Sequence, residues 1–522
     1  MTQSPRRLSR RFLLKTAAAA ATGSALSSLG LRAASASTPR RGGTLRIGLG
    51  HGNSTDSYDP ATFIGGFMQA FSFARYNCLT EIAADGSLVP ELAESWEPSS
   101  DAKQWVFNLR KSVEFHNGKT MDAQDVIASI NHHRGPESTS AMKPVVDQIA
   151  EIRSDGPNRV ILTLEHGNAD FAYTLSDYHM VIAPAHEGTI DWQSGVGTGG
   201  YVVDSFAPGI RAALSRHENY WKENAAYFDN VEMLTIADAN ARISALLSGQ
   251  LDVIDRIPFA TASRVKSLAN VKLVEVTGSQ HYSFAMNTQF APFDDNDVRL
   301  ALKYAIDREK LVQNVLSGHG RVANDHPIGP AYRYEATQLE QRVYDPDRAR
   351  SLLKKAGHDS LTVELSAADA AFAGAVDAAT LFREAAASAG ITVNVKREPN
   401  DGYWSDVWMK KPFSAVFWRG RPTEDWMFST VYIGKSPWND TFWENESFAR
   451  VVNEARTELD EGRRRSLYGE AQALVRDEGG AIIPMFANYL SATNMNVEHP
   501  ERLAASDDLD GMRLAERWWF KS

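Results

Sequence analysis

Hydrophobic and polar positions alternate along the first part of this chain in short runs, and later give way to stripes of helical period. Thr44-Leu45-Arg46-Ile47-Gly48-Leu49 alternates and predicts a first strand. The apolar stretch 63–79 predicts a helix. Residues 105–109 and 160–164, rich in aromatic and β-branched side chains, predict strands. From 81 to about 198 the strands are short and turn residues frequent, which predicts an inserted α+β module. Within it Asp122 caps a helix running through Asn131, with Asp125 in the first turn. Beyond Tyr201 helices and strands alternate. Residues 241–248 form a short helix closed by Gly249, and 271–276 a strand. Residues 297–317 read as one amphipathic helix, with Val298, Leu302, Ala305, Ile306, Leu311 and Val315 near one face. Residues 346–356 add another helix. Strand 362–365, an alanine-rich helix to Ala389, and strand 391–395 make a crossover unit, which favours parallel sheet and an α/β class.

The N-terminus follows a different rule. Ser9-Arg10-Arg11-Phe12-Leu13-Leu14-Lys15 precedes an uncharged, alanine-rich run and the small-residue site Ala34-Ser35-Ala36. This three-part layout predicts an export signal of the twin-arginine type over residues 1–36, cleaved near Ala36. No later apolar run reaches the ~18 residues that span a bilayer. Removing the signal takes six basic residues and no acidic ones, leaving 49 basic against 65 acidic residues and a net charge of −16. That balance excludes nucleic acid and anionic membrane as main partners. With a single cysteine, Cys78, no internal disulfide can form, and its apolar neighbours suggest a small buried side chain.

Most candidate chemistry fails on context. Gly195-Val196-Gly197-Thr198-Gly199-Gly200 matches a dinucleotide fingerprint by letter. A strand-like Tyr201-Val202-Val203 follows it, where pyrophosphate needs a helix N-terminus, so a glycine-rich hinge or crossing strand is expected. His132-His133 with Asp122 and Asp125 fits no closed metal-ligand spacing and reads as a solvated helix face. Asp294-Asp295 and Asp507-Asp508 read as exposed caps. No nucleophile elbow or His-Glu-x-x-His motif is present.

The segment 403–443 stands apart, with twelve aromatics in 41 residues and half of the chain's twelve tryptophans. Residues 415–417 read as a buried strand, and Trp418-Arg419-Gly420-Arg421-Pro422 falls where it ends. In open α/β sheets ligands sit beyond the carboxyl ends of strands. Aromatic walls with a few fixed polar groups suit a small-molecule pocket, and arginine suits a carboxylate.

A family pattern runs through the same residues. Gly42-Gly43-Thr44-Leu45-Arg46 is followed by Asp56-Ser57-Tyr58-Asp59-Pro60. Next come Asp85-Gly86-Ser87-Leu88-Val89-Pro90-Glu91-Leu92-Ala93-Glu94-Ser95-Trp96 and Phe107-Asn108-Leu109-Arg110-Lys111. Gly197-Thr198-Gly199-Gly200-Tyr201, Pro292-Phe293-Asp294-Asp295 and Tyr344-Asp345-Pro346 continue it. Over the whole chain beyond the signal the sequence resembles the family 5 solute-binding proteins of bacterial ABC importers. The resemblance implies a two-lobed α/β periplasmic binding protein fold (type II, cluster C) with an additional small α+β domain. It implies lobe I from 42–80, 199–283 and 484–522, the small domain 81–198 inserted in lobe I, and lobe II from 284–483. The expected partners are a small-molecule or short-peptide ligand and an inner-membrane ABC permease, with no cofactor, for a periplasmic monomer.

One departure is informative. Dipeptide binders of this family carry an aspartate after the Trp-x-Gly at the cleft strand, where it binds the peptide amine; here Arg421 follows Trp418-Arg419-Gly420. The reversed charge implies an anionic ligand group, as in an opine or a modified peptide. The expected ligand-binding residues are Trp418, Arg419 and Arg421, then Trp404, Tyr403, Asn439, Tyr282, Asn287, His51 and Asn53. Two other readings compete. An exported hydrolase needs a positioned nucleophile or acid/base pair. A binder of a metal chelate or haem would use His51, His179 and His281.

Overall fold

The computed structural model describes residues 39–522; the paired-arginine segment and its cleavage site lie outside the described residues. Two large mixed sheets carry the architecture. The first orders its seven strands as Tyr201–Ala207, Arg211–Arg216, Asn230–Thr235, Thr44–Leu49, Val253–Ile254, Tyr489–Asn494 and Val271–Val276. Thr44–Leu49 pairs in parallel with Asn230–Thr235 and Val253–Ile254. Leu45, Ile47 and Leu49 are fully buried, so the alternation seen in the sequence is the pleat of a half-covered strand.

The second sheet has six strands, in the order Gly320–Val322, Ala481–Ala487, His281–Met286, Phe413–Trp418, Leu361–Ala367 and Ile391–Arg397. The crossover through helix Ala375–Ala387 delivers the parallel pair Leu361–Ala367 and Ile391–Arg397. The strands His281–Met286 and Ala481–Ala487 are buried at every position. A third, antiparallel sheet (Ala93–Pro98, Gln104–Leu109, Arg159–Leu164, Ile149–Ser154) closes over its own core of Phe107, Phe115, Val126 and Leu162. Helix Ala123–Asn131 packs there; Asp122 accepts from the backbone N–H groups of Gln124 and Asp125, while the Asp125 carboxylate answers the N–H of Asp122.

The chain passes between the two large sheets twice, at 277–280 and at Asn488. Among the described residues no helix is long and apolar enough to cross a membrane.

Four expectations change. The helix expected over 297–317 is two helices, Asn296–Tyr304 and Arg308–Val315. Asp307 starts the second by accepting from Lys310 N–H at 3.0 Å, so the apolar stripe is continuous although the helix is not. The glycine run is not one of the two passages between the large sheets but a close packing contact. A Cβ on Gly197 or Gly199 would stand 2.2–2.4 Å from the backbone of Arg75, so glycine is required for two segments to touch. The His132-His133 helix face is not solvated: His133 and Asp125 are buried, and His132 bonds Asp59 at 2.5 Å. Asp507-Asp508 is not an exposed cap either, since both carboxylates are buried.

Candidate ligand cleft

The site is assembled where strand Phe413–Trp418 runs out. That strand lies antiparallel to His281–Met286, with Trp418 opposite His281, so its end meets the crossing segment 277–280. Gly420 is needed for that meeting: a Cβ there would lie 1.8 Å from Ser279 Oγ. The backbone N–H of Arg421 donates to Tyr332 Oη at 3.0 Å, which fixes the exit of the strand from a second side.

Arg419 reaches across to the C-terminal segment. Its Nη2 lies 2.9 Å from both carboxylate oxygens of Asp507. Asp507, then burial, set the guanidinium's character, and the net effect raises its pKa. Asp507 opens a turn in which Leu509, Asp510, Gly511 and Met512 all have left-handed backbone, with φ of 49°, 62°, 65° and 63°. Such runs cost energy in L-residues and persist only where surroundings over-determine them. Here Asp510 accepts from Ala504 N–H at 2.7 Å and from Arg517 at 3.1 Å. Beside it, burial and the neighbouring Asp255 and Asp507 push the Asp508 carboxyl up to about 8.

Arg421 is different. Its Nη1 finds only the carbonyls of Arg419 and Gly420, both at 3.3 Å, and among the described residues no carboxylate pairs with it. Burial lowers its pKa, with Tyr332, Arg419, Asp177 and Tyr178 as charged or polar neighbours. Two guanidinium groups thus stand at one strand end, one neutralised and one not.

The aromatic segment forms a linked wall. Trp404 meets Trp408 at 5.8 Å, Trp408 meets Trp418 at 6.1 Å, and Trp418 meets Trp438 at 6.2 Å between ring centroids. Trp404 and Trp438 are exposed at 41% and 47%, while Trp418 is buried. The indole N–H groups of Trp418 and Trp408 both donate to Asp440 Oδ2, at 3.1 and 3.3 Å.

The sequence-predicted residues separate into groups. Trp418, Arg419 and Arg421 share the strand end, and His51 lies within electrostatic reach of Arg419. Burial, then Arg256, Arg419 and Arg242, lower the His51 pKa and keep it neutral at pH 7. Trp404 stands at the exposed end of the wall. Tyr282 faces the core beside the six-stranded sheet, stacked on Phe372 at 4.2 Å. Tyr403 is withdrawn, since its hydroxyl bonds the carbonyls of Ser366 and Ala415 at 3.3 and 2.8 Å. The Asn439 amide is spent on the carbonyls of Gly434 and Trp443. The Asn287 side chain accepts from Gln289 N–H, and the backbone of Asn53 turns on Asp56. Backbone groups thus claim polar atoms of Tyr403, Asn439 and Asn287, while the Asn53 side chain stays exposed.

The three histidines of the metal or haem reading do not meet. His179 is tied to Asp177 and to the Phe63 carbonyl, and His281 is buried opposite Trp418. Among the described residues the one carboxylate group close enough to hold an ion is Glu81, Glu91 and Glu516. Lys222, Arg513 and Arg517 already neutralise it. Sequence reasoning missed Asp440, Ser279, Tyr178 and Tyr489, whose hydroxyl lies 3.3 Å from Ser279 Oγ. It noticed Asp507 but put it on the surface.

Residues 87–440 match the model of bacterial extracellular solute-binding proteins, family 5. Heme-binding protein A of Haemophilus influenzae is 27% identical over 458 residues, covering 81% of this chain and 83% of that protein. The nickel-binding periplasmic protein of Escherichia coli K12 is 29% identical over 292 residues, 54% of this chain and 55% of that one. Among solved structures, HbpA2 of Haemophilus parasuis superposes with a TM-score of 0.80 at 21% identity, over 92% of this chain and 100% of that one. AgaA of Agrobacterium tumefaciens R10, bound to agropinic acid, does so with a TM-score of 0.73 at 23% identity, over 92% and 99%. These neighbours share the two-lobed α/β fold, and the match over two-thirds of the sequence places the chain in family 5 of the bacterial extracellular solute-binding proteins.

Proposed function

We propose that this protein is the solute-capturing component of an ABC importer, works in the periplasm as a monomer, and takes a small ligand whose anionic group is received by Arg421. The work is binding and release by hinge closure, so no covalent step is required. The lobes that close are those expected from the sequence, 42–80 with 199–283 and 484–522 against 284–483 and with 81–198 as the added small domain, their divisions moved to the passages at 277–280 and Asn488 so that strands His281–Met286 and Ala481–Ala487 stay whole in the second lobe. The chain's two passages between the large sheets support a hinge there.

One observation carries the ligand class: Arg421 is recessed at the strand end and among the described residues forms no ion pair, while neighbouring Arg419 is matched by Asp507. A desolvated guanidinium without a counter-charge favours an arriving carboxylate. The relatives' named ligands, among them haem, glutathione and agropinic acid, provide a probe panel, and all three carry carboxylates.

Native mass spectrometry of protein purified from periplasm identifies a retained ligand, and calorimetry ranks it against the panel. Arg421→Ala should weaken binding of the winning ligand by about 1.5–3 kcal/mol, roughly 10- to 150-fold. Unchanged affinity overturns the assignment of Arg421.

A further inference from the structure

The tryptophan wall has an anchor at its back. Asp440 is buried, and a single oxygen, Oδ2, accepts the indole N–H groups of both Trp418 and Trp408. Among the described residues it forms no ion pair. Beyond the two indoles, the titratable groups facing it are Tyr432 and, behind that, His281. Tyr432, at the end of helix Glu424–Val431, faces it with a phenol whose pKa burial and Asp440 itself push well above the usual range. His281, on the central strand, stands behind Tyr432 with Nε2 3.4 Å from its hydroxyl, and burial holds it at about 3. Asn439 and Thr441, which flank Asp440, do not titrate.

Indole N–H is a donor only, so Trp418 has one way to satisfy it when buried. The charge of the acceptor strengthens both bonds. We infer that Asp440 is the positioning residue of the ligand-facing wall: its ionised carboxylate locks Trp418 and Trp408 in one arrangement, and protonation releases that lock. The inference rests on the reading that the Trp418–Arg421 strand end is the ligand seat. Burial, opposed by the two indole bonds, brings the Asp440 carboxyl to about 6, so the release falls in an accessible pH range. The wall would then hold its shape at neutral pH and loosen in mild acid.

The test needs no ligand, so its failure is distinct from failure of the Arg421 assignment. Tryptophan emission and acrylamide quenching are followed from pH 7.5 to pH 5 for the wild type, Asp440→Asn and Trp418→Phe. Circular dichroism reports folding throughout. The wild type should show one transition with a midpoint near 6 and greater quenching on the acid side. The transition should be absent from Asp440→Asn and much reduced in Trp418→Phe. A wild type that is flat over this range overturns the inference, as does an Asp440→Asn variant that keeps the same midpoint. If Asp440→Asn does not fold, an undiminished transition in Trp418→Phe overturns it equally.

Discussion

Arg419 and Asp507 join two distant parts of the chain: the end of a strand in the six-stranded sheet and a left-handed turn near the C-terminus, with Nη2 at 2.9 Å from both oxygens. The contact lies between the elements expected to move against each other when the cleft opens. Under the proposed lobe motion this contact would serve as a bolt on the closed form.

Asp507→Asn should loosen that bolt. The side chain of Arg419 is 34% exposed and that of Asp507 12%, so solvent screening discounts the pair. A loss of about 1–2 kcal/mol is expected, shrinking at high salt. Small-angle scattering should report a larger radius of gyration for the variant than for the wild type at low salt. Identical scattering profiles would argue against the bolt.

Gly420→Ala should cost more than its size suggests. The new Cβ would lie 1.8 Å from Ser279 Oγ and 2.4 Å from its Cβ, so the strand end must shift. Overpacking of this kind costs about 1–3 kcal/mol. Thermal unfolding should show the loss, and Ser279→Gly in the same chain should restore most of it. A double variant no more stable than Gly420→Ala would show that the clash is not the cause.

Asp440 also makes a stability prediction, with a definite sign. Its folded value of about 6 lies above the ordinary 3.8, so the folded state holds the proton more tightly than the unfolded state. Its contribution is fully present below about pH 4 and is lost as pH rises through 6. Two units correspond to on the order of 3 kcal/mol. Asp440→Asn should therefore gain on the wild type as pH goes from 4.5 to 7.5, measured by urea midpoints at both values. A constant difference between the two proteins would refute this.

The buried clasp of Glu81, Glu91 and Glu516 with Lys222, Arg513 and Arg517 predicts the opposite of a metal site. Lys222 Nζ touches all three carboxylates, at 2.6, 2.9 and 2.6 Å. Burial opposes ionisation of Glu81, yet Arg513, Lys222 and Arg517 hold it well below the usual carboxylate range. Lys222→Ala leaves three carboxylates facing two cations and should destabilise by about 3–5 kcal/mol. Chelator should leave the wild-type melting temperature unchanged; a drop on chelation would favour an ion over the lysine.

Local signals in the sequence were reliable where neighbours in the chain decide the outcome. Thr44–Leu49 is the strand its alternation describes, and Asp122 caps the helix that ends at Asn131. The strand–helix–strand unit from Leu361 to Arg397 is parallel, as such crossovers must be. The break at 305–307 was missed because the two short helices continue one apolar stripe, and period alone does not register a capping aspartate inside it.

The cleft was legible only in part. Trp418, Arg419 and Arg421 are near neighbours in the chain, so a strand end was enough to group them. Asp440 and Asp507 are 22 and 88 residues from their partners Trp418 and Arg419. Nothing local distinguishes a turn aspartate that stays in water from one that folding buries against a guanidinium. Nor does the sequence show that backbone carbonyls take the Tyr403 hydroxyl and the Asn439 amide.

The sequence by itself determined most of the elements, the class of fold and the grouping of Trp418, Arg419 and Arg421 at a strand end, since periodicity, capping and side-chain chemistry are properties of short stretches. Tertiary structure alone decided which charges meet. Burial strengthens a pair and penalises an orphan, and burial exists only once the sheets have closed on one another. That is why Arg419 is matched, Arg421 is not, and the tryptophan wall leans on a carboxylate that no pattern in the chain had marked.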